Sequence, residues 1–167
     1  MELKQTDLTT RIHKESLLEK IKASESNIEK LFQWSLSTEQ PLGWRATWMM
    51  KQLLRKNDPR LVPFVAPALD RFMEFNESQK REWLRTLLDQ QISEDEEGKL
   101  FDLCINEWKK IHNHPALRST AIQHLIKIIK KFPELKGELN HLMEAAYLES
   151  LSPAIKKSAM KQWQSLP

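Results

Sequence analysis

The chain has 167 residues, about one domain's worth, and its 40 % hydrophobic and 29 % charged content is ordinary for a globular protein that needs no disulfide or metal to fold. Three glycines, Gly43, Gly98 and Gly137, are few for tight β-hairpins or phosphate-binding loops, and one cysteine, Cys104, excludes an intramolecular disulfide. A formal charge of +3 is too small by itself to indicate a nucleic-acid ligand.

The opening MELKQTDLTTRIHKE lacks the apolar stretch of a signal peptide, and no run approaches the roughly 20 apolar residues of a membrane span. With the single cysteine, these features predict a cytoplasmic protein that does not engage a membrane. Leu, Lys, Glu and Gln dominate, which favours helix, and apolar residues recur at helical spacing between short breaks. The chain-order reading is an N-terminal helix over 7–22, then helices over 25–36 and 41–56, 58–74 and 77–90, 95–110 and 115–131, 133–149 and 153–164. Asp58-Pro59 and Ser152-Pro153 supply a capping oxygen followed by proline at the first helical position, and Pro41, Pro115 and Pro133 mark further starts. Pro63 and Pro67 should kink the 58–74 helix or delay its start. Short connections make the partners of each pair antiparallel neighbours. The whole chain reads as one domain, 1–167, with 1–24 as a cap and 25–167 as repeats.

The pairs repeat. Arg45, Lys80, Arg118 and Lys156 stand 35, 38 and 38 residues apart, followed three positions later by Trp48, Trp83, Ala121 and Ala159 and one further by Met49, Leu84, Ile122 and Met160. The preceding position holds Trp44, Gln79, Leu117 and Ile155, so only Gln79 breaks the apolar pattern. Gly98, Leu100 and Leu103 recur 39 residues on as Gly137, Leu139 and Leu142. A fixed period of this length marks a stacked helical solenoid.

Leu117-Arg118-Ser-Thr-Ala121 and Ile155-Lys156-Lys-Ser-Ala159 resemble the apolar-basic-x-x-Ala pattern of HEAT repeats, and Leu61-Val62-Pro63-Phe64 resembles the proline-bearing first helix of that family. The resemblance covers roughly residues 25–165 and is to small bacterial members. It implies an all-α, armadillo-like α-solenoid, a right-handed α-α superhelix of about four hairpins plus the N-terminal helix. It implies a binding scaffold rather than an enzyme, without naming a partner. Trp48 and Trp83 depart from the small residue usual at their position.

Catalytic and metal chemistry are poorly supported, and the chain predicts no cofactor. His112, His114 and Cys104 lack a fourth ligand and the spacing of a structural zinc site. Cys104 sits in an apolar run and reads as an inert core thiol. Glu94-Asp95-Glu96-Glu97 opens a helix, where acids complement the macrodipole. The six tryptophans read mainly as core. No Met-Pro-x-Lys segment of the adenylosuccinate lyase superfamily is present, which argues against that chemistry.

Charge is divided unevenly. Acids outnumber bases in the first helix of every pair, whereas the second helices carry +4, 0, +4 and +3. The resemblance places second helices along a concave surface, which would then be basic. Helical phase puts Thr120, Gln123, His124, Lys127, Lys130 and Lys131 opposite the apolar side of the third pair, with equivalents at Thr47, Met50 and Lys51, at Arg81, Arg85 and Thr86, and at Lys157, Lys161 and Gln162. Arg45, Lys80, Arg118 and Lys156 fall on the packed side, where an interlayer structural role is expected. The expected groove residues are Lys51, Arg81, Arg85, Gln123, His124, Lys127, Lys157 and Lys161, lining a stripe on the order of 30 Å. An acidic protein or peptide is the expected partner. The competing reading is nucleic-acid binding, including a reduced relative of the HEAT-type alkylpurine DNA glycosylases, for which Asp89 and Glu82 are the only acids near the groove. Nothing in the sequence fixes an oligomeric state.

Overall fold

The computed structural model describes residues 1–167 and contains helices, turns and bends but no strand. The chain divides into two compact units, Met1–Ile92 and Ser93–Pro167.

Unit 1 opens with α1 (Gln5–Thr9) and α2 (Lys14–Lys22). A single helix over 7–22 does not form. Thr10 Oγ1 donates to Thr6 O at 2.7 Å and ends α1, Thr10 and His13 are both extended, and α2 starts afresh. Ser24 caps α3 (Glu25–Trp34), its hydroxyl accepting the Asn27 N–H. Asn27, itself buried, accepts from Leu3 N and donates to Met1 O and Lys20 O, so the N-terminal arm is tied to the start of α3. After the 35–41 turn comes α4 (Leu42–Leu53), which packs against α1, α3 and α6 (Glu77–Leu87).

The expected 58–74 helix is divided into a 3-10 turn at Pro59–Leu61, α5 (Val62–Asp70) and a second 3-10 turn at Phe72–Glu74. Pro63 lies in the first turn of α5, where a missing N–H costs nothing. Pro67 lies inside it and cannot bond the carbonyl of Pro63, one turn back. Asp58 starts this stretch. Its carboxylate takes two side-chain hydrogen bonds from Arg60, at 3.0 and 2.7 Å, and the backbone N–H groups of Arg60 and Arg55.

The 35–41 turn is held by α6. Gln79 Nε2 donates to Ser35 O and Ser37 O at 2.9 and 2.8 Å, and its Oε1 accepts from Gln40 Nε2 at 2.7 Å. The residue that breaks the sequence pattern is thus the one that laces the turn. Trp83, fully buried, donates its indole N–H to the same Ser35 carbonyl at 3.0 Å. Gly43 is required where α4 starts, because an added Cβ would lie 2.1 Å from Ser37 O.

Unit 2 begins with α7 (Glu94–Lys109), whose capping box pairs Ser93 Oγ with Glu96 N and Glu96 Oε2 with Ser93 N. His114 Nδ1 accepts from Ala116 N and caps α8 (Pro115–Lys131). The expected 133–149 helix is broken into α9 (Leu135–Leu139), a 3-10 turn at Asn140–Met143 and α10 (Ala145–Leu148). Gly137 and Asn140 are weak helix formers, and two indoles claim groups in the break. Trp108 Nε1 donates to Leu142 O at 2.9 Å, and Trp163 Nε1 to Asn140 Oδ1 at 3.0 Å. Ser152 caps α11 (Pro153–Gln164), which packs on α8 with Ala159 and Trp163 buried.

Arg118 is fully buried. Its Nε donates to Trp108 O at 2.8 Å, its two terminal nitrogens donate to Ser150 Oγ and Tyr147 O, and its guanidinium lies over the Trp108 ring. Burial lowers its pKa from the ordinary value, but three oxygen acceptors and an indole face stabilise the cation.

Trp83→Ala should lower the unfolding free energy by about 3–5 kcal/mol in a urea titration, through a cavity and an undersupplied carbonyl. The exposed Lys109→Ala should change it by less than about 0.5 kcal/mol. The Asp58 carboxyl is held far below the usual range by the Arg60 side-chain bonds, which outweigh its burial with help from the Arg60 and Arg55 N–H groups. Its stabilising effect is therefore complete above the unfolded value of about 4 and is lost as pH falls from there toward the lower folded value. Asp58→Asn should be less stable than the native chain at pH 7, and that difference should shrink on acidification in urea titrations across pH 2–7.

Candidate partner-binding surface

The side chains expected to line a basic surface belong to α4, α6, α8 and α11. In unit 1, helix α4 is packed on several sides, so Thr47 and Met50 are fully buried, and Thr86 of α6 is buried as well. Thr47 Oγ1 donates to Gly43 O within its own helix and also contacts Ser35 O. The cations that do reach the surface have acidic partners. Lys51 Nζ lies 3.5 Å from Asp89 Oδ2. Arg81 and Arg85 both bond the carboxylate of Glu82, at 3.2 and 3.1 Å, and that carboxylate is almost wholly buried. The Nε of Arg81 is buried with no hydrogen-bond partner. Three cations on two acids leave only a weak positive surface here.

In unit 2, His124 is buried at 1 % exposure and is a core residue, not a surface ligand. Thr120 is buried too, its hydroxyl donating to Ala116 O. Helix α8 is flanked by α7 on one side and α11 on another, so its buried arc is wider than a single apolar stripe. What remains outside is Gln123, half-buried, with Lys127 and Lys130 exposed. Lys131 pairs with Glu97 at 2.8 Å. On α11, Lys157 and Lys161 are exposed, one turn apart, and neither forms an ion pair.

Met160 lies between them at 37 % exposure, although its repeat equivalents Met49, Leu84 and Ile122 are buried. Together with Pro153, Lys156 and Gln164, these side chains line an open surface depression along α11 of about 480 Å³. The repeat alignment placed Met160 among packed positions.

A family model for the HEAT repeat domain matches residues 2–164. The chain is a HEAT-repeat protein. No curated protein and no solved structure matched it. The match agrees with the all-helical architecture, and HEAT repeats commonly serve as protein-interaction scaffolds and are generally non-enzymatic. The matched span includes α1 and α2. No helix is long and apolar enough to cross a membrane.

Two of the four acids that open α7 have structural partners. Glu96 completes the capping box and Glu97 holds Lys131. Glu107 is buried and takes Lys110 Nζ at 2.8 Å and Asn113 Nδ2 at 2.6 Å. No three His, Cys, Asp or Glu side chains are grouped to hold a metal. Burial, reinforced by nearby Glu107, pushes the Cys104 thiol far above its ordinary pKa, which withholds the nucleophilic thiolate. Cys104 should therefore react with an aromatic disulfide reagent at least about 100-fold more slowly in the native HEAT protein than in urea. Equal absorbance time courses in the two conditions would contradict its placement.

Proposed function

We propose that this HEAT-repeat protein is a non-catalytic scaffold that binds an acidic protein or peptide through the cationic faces of its second helices, above all that of α11. The observation that carries the reading is the pair Lys157 and Lys161. Both are exposed, neither has an acidic partner, and they flank the uncovered Met160. Lys127 and Lys130 of α8 and the half-buried Gln123 add to the same unit's polar surface. An exposed apolar atom group ringed by cations suits a partner that brings an apolar side chain beside carboxylates, since charge sets encounter and register while the desolvated anchor supplies affinity. Lys51, Arg81 and Arg85 are given a lesser part because Asp89 and Glu82 offset them.

The test is fluorescence anisotropy with a labelled Glu- and Leu-rich 15-residue peptide and with a labelled duplex DNA, at about 50 and about 300 mM salt. The peptide should bind more tightly, and Lys157→Glu with Lys161→Glu should weaken it at least about tenfold, or about 1.4 kcal/mol. Lys109→Glu, on α7 of the same unit, should stay within about twofold, as expected of a charge that is not part of the interface. Tighter binding of the duplex, with the steep salt dependence of phosphate contacts, would replace the peptide reading with a nucleic-acid one. Indifference of the peptide to the double reversal would refute the α11 assignment.

A further inference from the structure

Three of the six tryptophans, Trp83, Trp108 and Trp163, are buried and donate their indole N–H to a protein oxygen. Trp44 and Trp48 differ. They stand one turn apart on α4, are only half-buried, and their indole N–H groups have no protein acceptor. Both face a cleft of about 230 Å³ in unit 1 between α4, α1 and the segment leading into α2. Leu8, Leu17 and Met49 form its apolar base, and Arg11, Ile12 and Arg45 stand at its rim.

The two rings are held by cations rather than by packing alone. Lys14 Nζ lies 5.7 Å from the centre of the Trp48 ring, and the Arg45 guanidinium lies 5.6 Å from that of Trp44. Arg45 is itself anchored, donating to Leu8 O at 2.9 Å. Arg11 and Ile12 are exposed, and Arg11 makes no ion pair. The only acid in the cleft, Asp7, is occupied: Lys20 Nζ lies 2.6 Å away and Lys4 N donates to it at 2.7 Å. Burial acts to raise the Asp7 pKa, but the Lys20 and Lys4 bonds outweigh it, so the carboxylate stays ionised and neutralised. The rim is therefore net positive around an apolar, indole-walled interior.

Size decides among occupants. Small-molecule and cofactor pockets begin at roughly 300 Å³ and enclose most of their ligand. This cleft is smaller and open on one side, dimensions that suit a single aromatic side chain whose backbone stays outside. The positive rim disfavours a cationic ligand, and it favours carboxylates beside that ring. We propose that the Trp44–Trp48 cleft is a peptide-anchor site that takes one aromatic side chain flanked by Asp or Glu. The site lies on unit 1 and is distinct from the α11 surface. The two indole N–H groups, which have no acceptor in the protein, are donors for the peptide's carboxylate or carbonyl oxygens, and Arg11 is the free cation that reads the flanking charge.

The test uses an array of acetylated heptapeptides with Trp, Phe, Leu or Ala at the centre and Asp, Asn or Lys on both flanks. Each is measured by anisotropy against the full chain and against Arg11→Glu and Ile12→Asp, two exposed positions whose substitution should leave thermal melting unchanged. Aromatic centres with Asp flanks should bind at least about tenfold tighter than Ala centres or Lys flanks, because a central anchor dominates such contacts. Arg11→Glu should reduce or invert the flank preference, and Ile12→Asp should weaken aromatic centres most. Equal binding of Ala and aromatic centres, no flank preference, no response to Arg11→Glu, or no binding at about 1 mM peptide, the weak end of specific association, would each overturn the proposal. Displacement of the peptide by an equal concentration of indole-3-acetate would overturn it in favour of a small-molecule site. These outcomes are independent of Lys157 and Lys161, so failure here and failure of the α11 reading are separable.

Discussion

The Ser35 carbonyl is where unit 1 is drawn together: Thr47 Oγ1, Gln79 Nε2 and Trp83 Nε1 all lie within 3.2 Å of it. The reason is general to stacked hairpins. Each turn between two helices carries carbonyls with no partner in their own helix, and the next hairpin removes those carbonyls from water. A buried, unsatisfied acceptor costs roughly 1–3 kcal/mol, so the covering layer must bring donors. Unit 1 uses an amide and an indole. Unit 2 uses Arg118, which satisfies Trp108 O and Tyr147 O at once, and Trp108, which satisfies Leu142 O. The same requirement explains Gln90, whose amide donates to Arg55 O and accepts from Asp58 N.

Satisfying turns in this way fixes which charges can be read from outside. Arg118 is consumed internally, and Arg45 is held by Leu8 O and the Trp44 face. Lys80 is nearly buried with its ammonium over Phe72. In α4, α6 and α8 the basic residue of the first turn is thus largely structural, whereas its α11 counterpart, Lys156, borders the surface depression with Lys157 and Lys161. Among positions further along these helices, Glu82 removes much of what Arg81 and Arg85 supply, while Lys157 and Lys161 keep theirs.

Helix positions were mostly legible in the sequence because caps and prolines are local signals. Asp58-Pro59, Pro115 and Ser152-Pro153 begin helical segments where the capping chemistry requires. The expected 58–74 helix is divided where its prolines signalled a break, and two others, 7–22 and 133–149, are broken beside a hydrogen bond to a backbone carbonyl: local at Thr10, distant at Leu142. Only the first kind can be read from neighbouring residues. Surface membership was less legible. A phase argument assumes one buried stripe, but α4 and α8 are covered from more than one direction, and this put Met50, Thr120 and His124 on the wrong side of the solvent boundary. Gln79 looked like a defect in the repeat because its partners lie 42 and 44 residues away.

The tryptophans show how one residue type divides between the two tasks. An indole has a large apolar body and one donor, so full burial is stable only where an acceptor stands at the N–H. Trp83, Trp108 and Trp163 meet that condition with Ser35 O, Leu142 O and Asn140 Oδ1; the first two bonds link successive hairpins and the third joins the two halves of one hairpin. Trp48 occupies the repeat position of Trp83 but has no carbonyl to reach, since what faces it is Lys14 and the open cleft rather than a turn from another hairpin. Covering it fully would strand the donor, so the ring stays half-buried and its N–H stays available. The same sequence position therefore yields a structural residue where a layer covers it with an acceptor and a binding surface where none does. Exposure of Met160 on α11 follows the same logic for an apolar side chain with no donor at all.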